Sequence, residues 1–269
     1  MNVYIVAIFY NPSKQQVDTF QALSNWYKVV VVDNSEFAIN GVGSGFIYIP
    51  LNENKGIAYA TNIGIEYAMN NGASHIIIFD QDSKIDCLFI NKYIEEYKKI
   101  LKIYNDENFI IGPNIHNVNE KSAEKKIENR CFEIKSSIIA SGMFASINVF
   151  KKVGKMDEDF FIDLVDTEYC WRAKYLGIEI IVANQINLFH TIGEGHNRFL
   201  NISIIKSATS RYYYRCRNYV WLSKKTYAPH SWKVKRLLRI LLEIFWYFLH
   251  GNFDIVKESI RGLKDGYAK

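Results

Sequence analysis

Apolar positions in the first hundred residues follow two alternating rhythms. Near-continuous runs of Val, Ile and Phe predict strands at residues 3–9, 28–32, 45–49 and 75–79. Between them, apolar residues spaced three and four apart predict helices over 15–26, 57–70 and 88–104, with Gly72 ending the second. Strands alternating with helices imply an α/β fold: a Rossmann-like, mostly parallel central sheet flanked by helices. Strands this apolar need cover on both faces. The rhythm loosens further on. Strands are expected at 109–112, 137–147, 179–183 and 186–189, and a helix within 157–175. A polar stretch fills 114–130, and from residue 203 the pattern is helical with a break at Pro229.

The strand ends add chemistry. Asn11 follows the first strand, Asp33-Asn34 the second, Asn54-Lys55-Gly56 the third and Asp80-Gln81-Asp82 the fourth. Open α/β sheets bind ligands beyond the carboxyl ends of their strands. Four small polar ends therefore point to one site on one edge. Two carboxylates one residue apart suit Mn²⁺ or Mg²⁺, which takes oxygen ligands from one or two carboxylates and from substrate phosphates. An Asp-x-Asp is common in solvated turns; here it directly follows the apolar run Ile76-Ile77-Ile78-Phe79.

Composition narrows the class. Hydrophobic residues make up 49% and aromatic residues 15% of the 269, which excludes a disordered chain. Cys87, Cys131, Cys170 and Cys216 show neither a CxxC pair nor zinc spacing, and read as reduced structural thiols. The first residues read as a strand and not as a signal peptide, and no apolar run approaches the roughly 18 residues of a spanning helix.

The net charge of +5 divides into −5 over residues 1–198 and +10 over 199–269, so the basic third implies an anionic partner. Within it, Arg211–Asn218 mixes arginines with tyrosines. Nucleic-acid binding is set aside because no recognised motif accompanies the segment. The remaining readings are a clamp over a diphosphate by Arg217 or Arg211, a membrane-facing surface, or a solvated helix face. Over 231–249, Lys233, Lys235, Arg236 and Arg239 precede an aromatic, apolar run. That order suits a helix lying on an anionic membrane surface. The rival is packing against the rest of the chain or against a second copy in a homo-oligomer.

Several motifs together resemble glycosyltransferase family 2, whose fold is GT-A. They are Val-Val-Val-Asp-Asn-Ser (30–35), Asn-Lys-Gly-Ile-Ala-Tyr-Ala-Thr-Asn-Ile-Gly (54–64), Phe-Asp-Gln-Asp-Ser (79–83) and Ala-Ser-Gly-Met (140–143). Further on come Phe-Phe-Ile-Asp-Leu-Val-Asp (160–166) with Trp171-Arg172, Arg211–Asn218, and Gly-Leu-Lys-Asp-Gly (262–266). Asp-Gln-Asp-Ser is similar to the rhamnosyltransferase branch. The resemblance implies a catalytic domain over 1–202, with a nucleotide-sugar half to about 112 and an acceptor half from 113 to 202. A basic helical extension would occupy 203–269.

The resemblance also implies residue roles. Asp33 would bind the base, and Asn11 and Asn62 would line the nucleotide pocket. Asn34, Lys55, Gly56, Gln81 and Arg217 would complete the donor site. Asp80 would face ribose or diphosphate and share the metal with Asp82, and His190 would be a further ligand. Asp166 would be the catalytic base, with Asp163 the second choice, three residues away and on the same face if the segment is helical. The family usually carries Glu-Asp here; this chain has Val165-Asp166.

The implied reaction is inverting transfer of a sugar, L-rhamnose from dTDP-rhamnose first, another donor such as a UDP-hexose otherwise. The acceptor would be a hydroxyl of a lipid-linked or cell-surface polysaccharide precursor. The expected location is cytoplasmic, peripheral at the inner face of the plasma membrane. A nucleotidyltransferase would carry a Gly-rich basic loop where Phe9-Tyr10-Asn11-Pro12 stands, and a non-catalytic binding module would not need Asp163 and Asp166.

Overall fold

The computed structural model describes residues 1–39, 45–117, 131–190, 196–199, 202–205 and 207–268. Ten strands are described: β1 (Val3–Phe9), β2 (Lys28–Asp33), β3 (Ile47–Pro50), β4 (His75–Asp80), β5 (Phe109–Asn117), β6 (Phe132–Ile134), β7 (Phe144–Ser146), β8 (Glu179–His190), β9 (His196–Phe199) and β10 (Ile202–Ile205). The helices are α1 (Lys14–Leu23), α2 (Ile57–Asn70), α3 (Cys87–Tyr104), α4 (Ile147–Val153), α5 (Val165–Tyr175), α6 (Thr209–Lys224), α7 (His230–Leu249) and α8 (Phe253–Ala268).

Eight strands form one sheet in the order β3-β2-β1-β4-β7-β5-β8-β6. β1 pairs in parallel with both β2 and β4, β2 with β3, and β5 with β8. The short β7 runs antiparallel between β4 and β5, and β6 runs antiparallel on β8. The mostly parallel sheet is therefore as expected, and the carboxyl ends of β1, β2, β4 and β8 lie on one edge.

Alternation explains the layers. Tyr4, Val6 and Ile8 of β1 enter one core, and Val3, Ile5, Ala7 and Phe9 enter the other. Residues of α2, α4 and α5 cover the first face; Phe20 and Leu23 of α1 and Ile90, Tyr93, Tyr97 and Ile100 of α3 cover the second. Each fully buried Val, Ile or Phe contributes roughly 1.5–3 kcal/mol relative to exposure. Local signals set the helix starts. Ser13 and Gln16 form a reciprocal capping box on α1, and Asp86 accepts the Phe89 N–H at 2.7 Å on α3.

The second half departs from expectation in three places. Residues 137–147 do not form one strand: only Phe144–Ser146 pair, and a helix begins at Ile147. Residues 179–189 form one strand rather than two, with an irregularity opposite Pro113/Asn114. Asp163 is not helical: α5 starts at Val165 behind Leu164, so Asp163 and Asp166 do not share a helix face.

Candidate active site

The polar strand ends are neighbours on one edge, as expected, and several of their side chains are engaged by other protein groups. Asp33 is buried; its carboxylate accepts from Ser35 and, at 2.5 Å, from the Tyr48 hydroxyl. Tyr48 in turn accepts the Ile39 N–H at 2.8 Å. Burial, and then the hydrogen bond to Asp33, push the Tyr48 phenol up to about 12. Asn34 donates to Asn54 at 2.9 Å and accepts the Lys55 N–H at 2.8 Å, tying the ends of β2 and β3. Lys55 stands exposed at the rim, 3.5 Å from Glu53 and over the Tyr59 ring. Asn11 is exposed in a left-handed conformation (φ 46°), and its N–H donates to Ser35.

Gln81 is engaged by the end of β1. Its amide accepts the Tyr10 N–H at 2.7 Å and donates to the Tyr10 carbonyl at 3.1 Å. The middle residue of Asp-Gln-Asp thus fixes the loop after β1 to the end of β4. Asn62 is likewise buried against protein: it donates to Met156 O and Glu158 and accepts the Met156 N–H, all at 2.8–2.9 Å.

Asp80 and Asp82 are half-buried at the end of β4. The Ser141 hydroxyl, itself bonded to Ser83, accepts the Asp80 N–H at 3.4 Å. Asp82 borders a cavity of about 880 Å³ that also touches Ser13, Gln16, Lys84, Asn187 and Phe189. Asp82 on that cavity wall, with Asp80 two residues before it and with diphosphate oxygens, matches the donor set of Mg²⁺ or Mn²⁺. No group of three acidic, His or Cys side chains forms a metal cluster among the described residues. The His190 side chain lies outside them; its backbone ends β8, one residue after Phe189 of the cavity wall.

The candidate base follows a strained loop. Phe161, Asp163 and Leu164 all have positive φ (58°, 66° and 65°), an unusual run for non-glycine residues. Asn218 of α6, fully buried, secures it by donating to the carbonyls of Phe160, Ile162 and Asp163 at 2.7–2.8 Å. Arg217 donates to Asp159 O at 2.5 Å and Phe160 O at 3.3 Å, and its guanidinium lies 4.1 Å from the Trp221 ring centre. Arg211 forms a two-pronged pair with Asp163 at 2.7 and 3.2 Å. Both arginines expected as diphosphate clamps therefore bind the 159–163 loop in this structure.

Asp166 opens α5, half-buried, and accepts the Thr167 N–H at 2.7 Å. Burial raises its pKa; the Thr167 bonds oppose this and the Asp163 charge reinforces it. Two residues on, buried Glu168 accepts a two-pronged contact from Arg172 and the Tyr227 hydroxyl, fixing α5.

The loop and the donor edge touch. The Ile57 N–H, first in α2, donates to the Phe161 carbonyl at 2.7 Å. Gly56 (φ 87°) permits this, because a Cβ there would lie 2.6–2.8 Å from Phe161 atoms. Phe161 stacks on Tyr214 of α6, with ring centres 4.7 Å apart. Three contributors were missed from sequence: Tyr48, Phe161 and the specific role of Asn218. Phe161 and Asn218 stood within motif runs, and Tyr48 only within the expected strand at 45–49.

No family model matches the chain. It is 35% identical over 272 aligned positions, 96% of its length and 90% of the other's, to dTDP-rhamnosyl transferase RfbF of Shigella flexneri. It is 25% identical over 218 positions, 72% of its length and 69% of the other's, to the low-salt glycan biosynthesis hexosyltransferase Agl10 of Haloferax volcanii. Among solved structures, S. aureus TarS 1-349 superposes with a TM-score of 0.56 at 13% identity, covering 92% of this chain and 72% of that one. GalNAc-T7 with UDP, GalNAc and Mn²⁺ gives 0.54 at 13% identity, covering 88% and 54%. These two likenesses establish the GT-A fold alone. With the sequence match running through nearly the whole of both chains, this chain belongs to the rhamnosyltransferase-like glycosyltransferases of GT-A fold.

Proposed function

We propose that the protein is an inverting, metal-dependent family 2 hexosyltransferase that moves L-rhamnose from dTDP-rhamnose to a hydroxyl of a lipid-linked or cell-surface polysaccharide precursor. The observation that carries this reading is Asp166, a half-buried carboxylate with a raised pKa in the first turn of α5, directly after the loop that abuts the donor edge. A base must take a proton from a hydroxyl, and a carboxylate with a raised pKa is a stronger acceptor than an ordinary one. The acceptor oxygen attacks C1 of the sugar while its proton passes to Asp166. The C1–O bond breaks and the nucleoside diphosphate leaves with the electron pair, so a single displacement inverts the anomeric centre. A divalent cation held by Asp82 and Asp80, with His190 as a further ligand, would neutralise charge developing on that leaving group. Lys55, exposed after β3, would supply a further positive charge to the donor, and Asp33, Asn34 and Asn11 at the strand ends would receive its base and ribose. The whole-length likeness to a dTDP-rhamnosyl transferase supports the donor.

Asp166→Asn tests the reading. Donor affinity should stay within about twofold, while turnover with dTDP-rhamnose should fall by about 10²–10⁴. Turnover at the parent rate would refute the base. Turnover with a UDP-hexose and none with dTDP-rhamnose would replace the donor.

A further inference from the structure

Helix α7 is apolar on two opposite faces. One face, with Ile240, Glu243 and Tyr247, is buried. It joins α6 through the Tyr212–Tyr247 hydroxyl contact at 2.6 Å and the Arg215–Glu243 pair at 3.6 Å. On the opposite face, Val234, Leu238, Leu241, Phe245, Phe248 and Leu249 are each between 48% and 61% exposed. Their spacing of three and four residues forms one stripe about 22 Å long, at 1.5 Å per residue. Phe253, which opens α8, extends it, with its ring 5.8 Å from that of Phe248.

We infer that this stripe is the surface by which the protein lies on an anionic lipid bilayer. Charge selects the occupant. Residues 199–269 carry fourteen Lys/Arg against four Asp/Glu. The single acid of α7, Glu243, is buried and paired with Arg215 and Arg239, so none borders the stripe from its own helix, whereas Lys235 stands exposed beside it. A second copy docking through the stripe would bring two +10 segments together and be opposed by their repulsion. An anionic leaflet attracts the same charge, and exposed Phe and Leu side chains gain from entering the acyl boundary. No helix among the described residues is long and apolar enough to cross a membrane, so α7 lies in the plane of the surface. The face reversed from the stripe packs on α6, whose Asn218 and Arg217 secure the 159–163 loop that leads into Asp166. Docking therefore anchors the bilayer to the helix that carries the candidate base loop. The inference rests on α7 and charge, not on the sugar transferred.

The experiment is vesicle flotation of the full chain with phosphatidylcholine alone and with added phosphatidylglycerol, at low and high salt. The comparison is the triple variant Leu238→Gln, Phe245→Gln and Phe248→Gln, whose exposed positions leave the core intact. The parent should float with the anionic vesicles, less so at high salt, and the variant should lose about tenfold or more of that binding. Circular dichroism and turnover on a soluble acceptor should be unchanged. Equal binding by parent and variant, or no binding by the parent, overturns the inference. A dimeric parent that the variant converts to monomers would also overturn it, by assigning the stripe to a second copy.

Discussion

Asn218→Ala should both destabilise the protein and disable transfer, because one amide holds three carbonyls of a strained loop. Its two N–H groups serve Phe160 O, Ile162 O and Asp163 O, and its oxygen accepts Arg217 Nε at 3.1 Å and Nη2 at 3.0 Å. Losing two buried N–H donors costs about 1–1.5 kcal/mol each, and losing the acceptor of a guanidinium about 1 more. The sum is about 3–4 kcal/mol, a large part of the roughly 5–15 kcal/mol typical of a domain. For a chain of this size that lowers the melting midpoint by on the order of 10 °C. Below that midpoint, Phe161, Asp163 and Leu164 lose the bonds that hold their positive φ values, so Asp166 loses its placement. Differential scanning calorimetry gives the first quantity; turnover at saturating donor gives the second, with donor affinity as the control. Asn218→Asp keeps the shape but turns the amide donors into an acceptor aimed at carbonyls, so it should be no better than Ala. A midpoint shift equivalent to less than about 1 kcal/mol, together with parental turnover, would refute the clamp argument.

Asp163→Asn should move the acid limb of turnover to lower pH. Asp166 works ionised and its pKa is raised by burial and then by the Asp163 charge, so activity is lost as pH falls through that raised value, and removing the charge lowers it. Asn tolerates the left-handed backbone at 163, and an acid limb that stays put or moves up in a pH–rate profile would contradict the assignment. Asp82→Ala should abolish the Mn²⁺-dependent part of nucleotide binding, measured calorimetrically with and without chelator, while leaving the melting midpoint nearly unchanged. Binding that remained equally Mn²⁺-dependent would place the metal ligands elsewhere.

The sequence made the sheet legible because its strands are short, apolar and bounded by turns, and Ile57–Asn70 matches its predicted limits. The second half was harder: β7 has three residues and an antiparallel course, and α4 follows without any break in hydrophobicity. For the site, motifs located residues but not their partners. Gln81 and Asn62 stand in donor-site motifs, yet their amides reach Tyr10, Met156 and Glu158, 71 to 96 residues away. No local pattern encodes which strand ends become neighbours; the sheet order decides that. The consequence is mechanistic. Arg211, Arg217 and Asn218 read as a basic patch in sequence, and in the fold they grip the 159–163 loop before Asp166 from a helix 48 to 58 residues later. Helix α8 reinforces that grip: a Cβ at Gly262 would lie 2.2 Å from the Tyr213 carbonyl, so only a small-residue seam lets α8 sit against α6. Deleting residues 231–269 would therefore strip support from the candidate base loop as well as the exposed stripe. Substitutions confined to the stripe separate the two roles, because none of those side chains faces α6.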